Sequence, residues 1–576
     1  MKSLFGNSVS TLKNNSLLLT LSMLLPTLGI SISAVAAERI YASYSALERS
    51  IPVAALEDYA KKGVIDDDLA VYQQYVRPQQ LQELRRLLLS PIKVNPVAVS
   101  QFLYTPQGKF LLSRLGQVIR TDSRDKEAGI LALRSALILA ASEPEGLTLL
   151  NIMRKYPSSS IRIDLAQTLG IAAQMEKLVT ETNRAIAAVS NKSDTEAATA
   201  EPPINLSQIP DLRHKGKFAW KQYSAMRYYN LKRNRLLLTD VYIPSVQKPV
   251  PVIVISHGLG SDSGNFEYLA SHLASHGFAV VVPNHPGSDA KQLRSLLDGS
   301  ASDVAKPDEF KERPQDITFI LNQLEKANQS NPRFGGRLNL QQVGVFGQSF
   351  GGYTALALAG AKIHFSQLAK DCKPEALKDT WNMSLLLQCR VLEAGGQNDP
   401  QEYNLRDERV KAAIAVNPIT SSIFGEAGLK EIQVPVMMVA STDDTVAPAL
   451  YEQILPFSWI ADTQKYLVLL KGGTHFSTIG TSKNNPDQVR LPSEVIGDDP
   501  AQARRYMSVL SLPFFETYVA GSSKYVTFLN ATYAKTISNQ SMGLSMIQSL
   551  TTTELAQALD GEVKEVQPVK EPALAP

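Results

Sequence analysis

Apolar residues follow two different rhythms along the chain. From residue 37 to about 190 they recur at spacings of three and four, as in RPQQLQELRRLLLS, KEAGILALRSALILAAS and IDLAQTLGIAAQMEKLVTETNRAIAAVS. That is the period of one helix face. Leu165, Leu169, Ala172 and Val179 form one such stripe, which by default is core. This predicts an all-α domain over 37–190. Residues 191–209, polar and Ala/Thr-rich with prolines near their end, read as a linker. Beyond residue 210 the apolar runs become short and continuous: RLLLTDVYIP, PVIVISHG, FAVVVPNHPG, QVGVFGQS, VKAAIAVNP, VPVMMVAS and KYLVLLKGG. Seven such runs separated by helical segments predict a mostly parallel sheet covered by helices on both faces, over 210–560. Chemistry in such sheets gathers at the carboxyl ends of the strands. Residues 561–576, GEVKEVQPVKEPALAP, are charged and proline-rich without periodicity and read as a disordered tail.

Composition sharpens this picture in two places. Net charge is +3, and both basic residues before position 37, Lys2 and Lys13, lie in a segment with no acidic residue, leaving a nearly neutral remainder. No nucleic-acid-binding surface is implied. The same segment carries an apolar stretch from Leu17 and small residues at Ala34, Val35 and Ala36 just before charge begins. It reads as a secretory leader, 1–36, cleaved near Ala36. A membrane anchor is the alternative, and Pro26 and Gly29 interrupt the apolar run against it. The expected location is periplasmic or extracellular, with no transmembrane segment in the mature chain. In an oxidising compartment the only two cysteines, Cys372 and Cys389, are expected to pair, with two buried thiols as the alternative.

The chemistry centres on VGVFGQSFGGYTALALAG, residues 343–360. Ser349 stands where a buried strand turns into an Ala/Leu-rich helix, flanked at two positions on each side by Gly347 and Gly351, the layout of a nucleophile elbow. A serine hydroxyl needs a base, and the base needs an orienting acid. Of seven histidines, His475 alone follows a strand and a Gly-Gly loop in a position to serve. The acid belongs to TDDTVAP. Asp443 and Asp444 compete, either could cap the next helix, and the position four residues before Pro448 selects Asp444. The order Ser349, Asp444, His475 suits an α/β-hydrolase. Oxyanion donors are expected at the backbone N–H groups of Leu259, in SHGLGSDSG, and of Phe350, with His257 supporting the loop.

SHGLGSDSGNFEYLASHLASHGFAVVVPNHPGSD together with GQSFGG resembles the platelet-activating-factor acetylhydrolases, esterases that remove short acyl chains from phospholipids. The match is good over about 250–360. That group carries its acid after the strand corresponding to VKAAIAVNPI, where this chain has Asn417. The acid then moves one strand on, to Asp444, as in dienelactone-hydrolase-like relatives. The N-terminal part resembles the helical domain ahead of uncharacterised cyanobacterial hydrolases. The resemblance implies an α/β-hydrolase fold and an exported serine esterase acting on a small-molecule or lipid ester, with no metal or cofactor and room for peripheral membrane contact. Small soluble esters are the second reading, and a catalytically silent binding protein is the alternative of another class. The segment 361–408, long for a plain connection, is expected to form a cap. The helical domain either packs on that cap or stands as an independent stability domain. Oligomeric state is left open.

Overall fold

The computed structural model describes residues 36–560 other than 46, 74–76, 124, 200–210, 379, 395–402, 404, 483–495 and 498. The leader before Ala36, the tail and residues 200–209 of the expected linker therefore lie outside the described residues. The first part of that linker is not a linker: residues 191–199 close the helix Leu165–Thr199.

The described residues fall into two compact units, one within Met1–Pro96 and Leu115–Thr168, the other within Val97–Arg114 and Leu169–Pro576. The boundary thus differs from the expected one near 190, because a periodic apolar stripe announces a helix without naming its partner. In the first unit helices prevail, as expected, but the all-α reading needs an addition. Strands β1 (Arg39–Tyr44), β2 (Leu47–Pro52), β3 (Ile119–Arg120) and β4 (Ser160–Asp164) form a four-stranded sheet in the order β2-β1-β4-β3. These strands are short and half-exposed, so they lack the apolar runs that would have announced them.

Among the described residues the second unit is built on nine strands: β5 (Trp220–Asn230), β6 (Arg235–Pro244), β7 (Val250–Ser256), β8 (Ala279–Pro283), β9 (Leu338–Gln348), β10 (Val410–Val416), β11 (Val436–Ser441), β12 (Lys465–Leu470) and β13 (Leu544–Ile547). Their order is β13-β12-β11-β10-β9-β7-β8-β6-β5. The six strands from β8 to β12 pair in parallel, while β5, β6 and β13 join antiparallel at the two sides. All seven expected strands are present. The two that the pattern missed are the edges, where β5 alternates with exposed residues and β13 spans only four.

Continuous apolar runs make sense here because each central strand buries both faces. Val252, Val254, Val343 and Val345 enter one core layer, and Ile253, Ile255 and Phe346 the other. The helix Leu165–Thr199 contributes Ala185 and Val189 to the first of these layers. Its predicted stripe is not core: Leu165 and Ala172 are exposed, as are Leu169 (58%) and Val179 (54%). A helix of 35 residues is about 50 Å long, and only its last turns reach the sheet's core.

Residues 97–114 belong to the sheet unit, within which the Arg114 guanidinium donates to the Lys378 carbonyl and to Gln174 Oε1 (3.0 Å) and lies 4.6 Å from the Trp381 ring. Lys378 and Trp381 lie in the expected cap, which contains the short helices Phe365–Asp371, Pro374–Leu377, Met383–Cys389 and Val391–Ala394. Cys372 and Cys389 are disulfide-bonded.

Candidate active site

At the end of β9, Ser349 takes φ 56°, ψ −117° and opens the helix Phe350–Leu358. A non-glycine residue at positive φ is held there only by its surroundings. The Ser349 N–H donates to Val416 O at 2.8 Å, and its carbonyl accepts the Tyr353 N–H at 3.0 Å. Strand and helix pass too closely for any side chain. A Cβ on Gly347 would stand 1.9 Å from the Gly351 carbonyl, and one on Gly351 2.0 Å from the Ser256 carbonyl.

The three predicted side chains meet. His475 Nε2 lies 2.8 Å from Ser349 Oγ, and His475 Nδ1 lies 2.6 Å from Asp444 Oδ2. An ionised carboxylate only accepts, so Nδ1 carries the proton and Nε2 is left to accept from the serine hydroxyl. The other carboxylate oxygen, Asp444 Oδ1, accepts the N–H groups of Val446 (2.8 Å) and Ala447 (2.7 Å). All three groups are buried, Ser349 being 9% exposed. Asp443 points elsewhere. Among the described residues its exposed carboxylate accepts only the Thr442 hydroxyl, at 2.9 Å.

The predicted oxyanion residues sit at the ends of two neighbouring strands, Leu259 just after β7 and Phe350 just after β9. Among the described residues neither backbone N–H has a hydrogen-bond partner. His257 stands behind this loop, with Nδ1 2.8 Å from Gly258 O and Nε2 accepting the His285 N–H at 3.1 Å.

Two family models match. Residues 36–164 match one described as an alpha/beta hydrolase of unknown function (DUF1400), and residues 251–370 match the alpha/beta hydrolase fold. The chain has the α/β-hydrolase fold. No curated protein matches it. The second match spans β7 through the elbow helix, the segment that brings Leu259 and Ser349 to adjacent strand ends.

This hydrolase unit contains a second Ser-His-Asp constellation. Ser256 Oγ lies 3.0 Å from His285 Nε2, and His285 Nδ1 3.3 Å from Asp316 Oδ2. All three side chains are fully buried, and Ser256 ends a regular strand. Burial also holds the His285 imidazole far below its ordinary pKa. Access and the elbow backbone separate Ser349 from this set.

Two supporting residues escaped the sequence reading. Gln348 Nε2 donates to the His475 carbonyl at 2.9 Å. Asn417, at φ +44°, accepts the Ser441 N–H at 2.9 Å and donates to Ser441 Oγ at 3.0 Å and to the carbonyls of Thr474 and His475 at 3.4 Å. The absence of an acid at 417 was visible in sequence. That its amide ties β10 to the histidine loop was not, because the partners lie 24 to 58 residues away.

Proposed function

We propose that the protein hydrolyses carboxylic esters through an acyl-enzyme on Ser349. The observation that carries this reading is the continuous hydrogen-bond chain from Ser349 Oγ through the His475 ring to Asp444. His475 takes the serine proton as Oγ attacks the ester carbonyl carbon, and the oxyanion that forms is received by the N–H groups of Leu259 and Phe350. The imidazolium then protonates the departing alcohol. Water repeats the sequence on the acyl-enzyme, and the acid leaves. Asp444 keeps the imidazole in the Nδ1–H tautomer and stabilises its charge, itself fixed by Val446 and Ala447.

The substrate reading rests on the resemblance, which points to short-acyl phospholipids. The reading includes export, supported by the leader-like segment 1–36 and by the Cys372–Cys389 disulfide, which persists in oxidising compartments. Cell fractionation tests that part.

A fluorophosphonate should label the wild type and leave Ser349→Ala unlabelled. Turnover measured on nitrophenyl esters from acetyl to dodecanoyl, and on phosphatidylcholines with short and long acyl chains, separates the substrate classes. A preference for short-acyl phospholipid supports the proposal, and a preference for small soluble esters replaces the substrate part of it. Labelling that persists in Ser349→Ala overturns the mechanism.

A further inference from the structure

We infer that Arg313 is the positioning residue of the oxyanion hole, holding both backbone donors from the side opposite the substrate. This rests on the ester-hydrolase reading above. Arg313 lies in the first turns of the helix Glu309–Ser330 and is fully buried. A buried cation ordinarily sits against a carboxylate, because desolvation is costly without one. Carboxylates are close at hand, but other arginines hold them. Arg235 joins Glu309 and Asp316, each at 2.8 Å, and Arg233 joins Asp316 at 2.8 Å as well as Glu312. Among the described residues Arg313 makes no ion pair of its own.

Its donors go to backbone instead. Nη1 donates to the His257 carbonyl at 2.7 Å, Nη2 to the Gly258 carbonyl at 3.4 Å, and Nε to Ser288 Oγ at 2.9 Å. Ser288 passes the contact on by donating to Glu309 at 2.7 Å. The guanidinium carbon also lies 4.3 Å from the ring centre of Phe350. One side chain therefore grips the loop before Leu259 and the residue after Ser349.

Peptide geometry converts this grip into orientation. The Gly258 carbonyl and the Leu259 N–H belong to one planar trans peptide and point in opposite directions. Gly258 O accepts from Arg313, from His257 Nδ1 at 2.8 Å and from the Ser261 N–H at 3.3 Å, so the Leu259 N–H is turned away from all three. A positive charge on the oxygen side also polarises that peptide and strengthens its N–H as a donor. Burial lowers the Arg313 pKa to about 10, which leaves it cationic at neutral pH.

The helix carrying Arg313 is in turn tied to the elbow helix. Pro314 has no N–H to offer the Phe310 carbonyl one turn back, and the Tyr353 hydroxyl donates to that carbonyl at 2.8 Å. Phe310 also packs on Phe350, with ring centres 4.6 Å apart. The helix that carries Arg313 is thus packed against the residue that carries the second donor.

The test compares wild type, Arg313→Gln and Arg313→Lys on an acetyl ester, with active sites counted by fluorophosphonate titration and folding followed by thermal melting. In Arg313→Gln, turnover per titrated site should fall about a hundredfold to a thousandfold, the cost of losing one oxyanion donor, with KM little changed. Arg313→Lys restores the charge without the planar fork and should recover only part of that loss. Fewer titratable sites, each with wild-type turnover, would mean that Arg313 only holds the fold, and would overturn the inference. Wild-type turnover in Arg313→Lys would do the same, and that variant decides the matter if Arg313→Gln does not fold. Absence of labelling in the wild type would instead overturn the ester-hydrolase reading itself.

Discussion

Gln348 carries the backbone of His475: its side-chain amide donates to the His475 carbonyl at 2.9 Å, so the residue before the elbow serine supports the residue whose ring meets that serine. Strand β9 therefore sets both ends of the Ser349–His475 contact. Replacing Gln348 by Met should keep the volume and release the histidine loop. A misplacement of about 1 Å at a reacting pair costs about a hundredfold, so kcat on an acetyl ester should fall toward that value while the melting temperature changes little. An unchanged kcat would show that Asn417 alone suffices to hold the loop.

The two adjacent acids should part sharply. Asp444→Asn removes the carboxylate that fixes the His475 tautomer, and turnover should drop by about four orders of magnitude. Asp443→Asn alters an exposed group with one hydroxyl partner and should stay within about 0.5 kcal/mol of wild-type stability, with full activity. Parallel kinetics and denaturant titrations read both, and a dead Asp443→Asn enzyme would contradict the geometry.

Restoring an acid at position 417 should not help. Asp cannot donate, so Asn417→Asp turns a carboxylate toward the Thr474 and His475 carbonyls and leaves both without the Asn417 donor. Leaving such buried groups unsatisfied costs about 1 to 3 kcal/mol. The double variant Asn417→Asp, Asp444→Asn should be less stable than Asp444→Asn and no more active. Recovery of turnover in the double variant would show that position 417 can still present an acid to His475.

The disulfide ties two cap helices across a sequence separation of 17. Replacing both cysteines by Ala should cost about 3 kcal/mol by chain entropy, concentrated in the cap. Urea melts of oxidised, reduced and Cys372→Ala, Cys389→Ala protein measure it. Thiol labelling of denatured, unreduced protein should find no free cysteine.

Acid should weaken the fold before it reaches the carboxylates. Burial keeps His257 and His285 far below the ordinary histidine value of 6.5, and lowers His272 to about 3. The unfolded chain binds protons that the folded chain refuses. Their contribution is therefore complete above pH 6.5 and is lost as pH falls toward the folded values. At one pH unit below 6.5 each such histidine costs about 1.4 kcal/mol. His272→Gln should flatten the fall in stability between neutral pH and pH 5, and an unaltered slope would contradict the assignment for His272.

What the sequence determined by itself was local. Short continuous apolar runs bounded by turn residues fit strands buried on two faces, so seven of the nine main-sheet strands among the described residues were readable. Gly347, Ser349 and Gly351 at a strand-to-helix boundary mark an elbow, because only glycine lets the chain pass that close. Loop position and proline spacing pointed to His475 and Asp444, whose side chains lie in hydrogen-bond contact, His475 also reaching Ser349. Tertiary structure decided what depends on partners. The edge strands β5 and β13 have little apolar signal, since an edge needs little. The stripe at Leu169 and Val179 promised a core that Ala185 and Val189, farther along the same helix, enter instead. Residues 97–114 belong to the hydrolase unit, where Arg114 makes contacts that periodicity does not encode. Gln348, Asn417 and Arg313 acquire their roles from carbonyls of residues distant in the chain. A hydrogen bond to a backbone carbonyl leaves no mark on the sequence of the residue that accepts it.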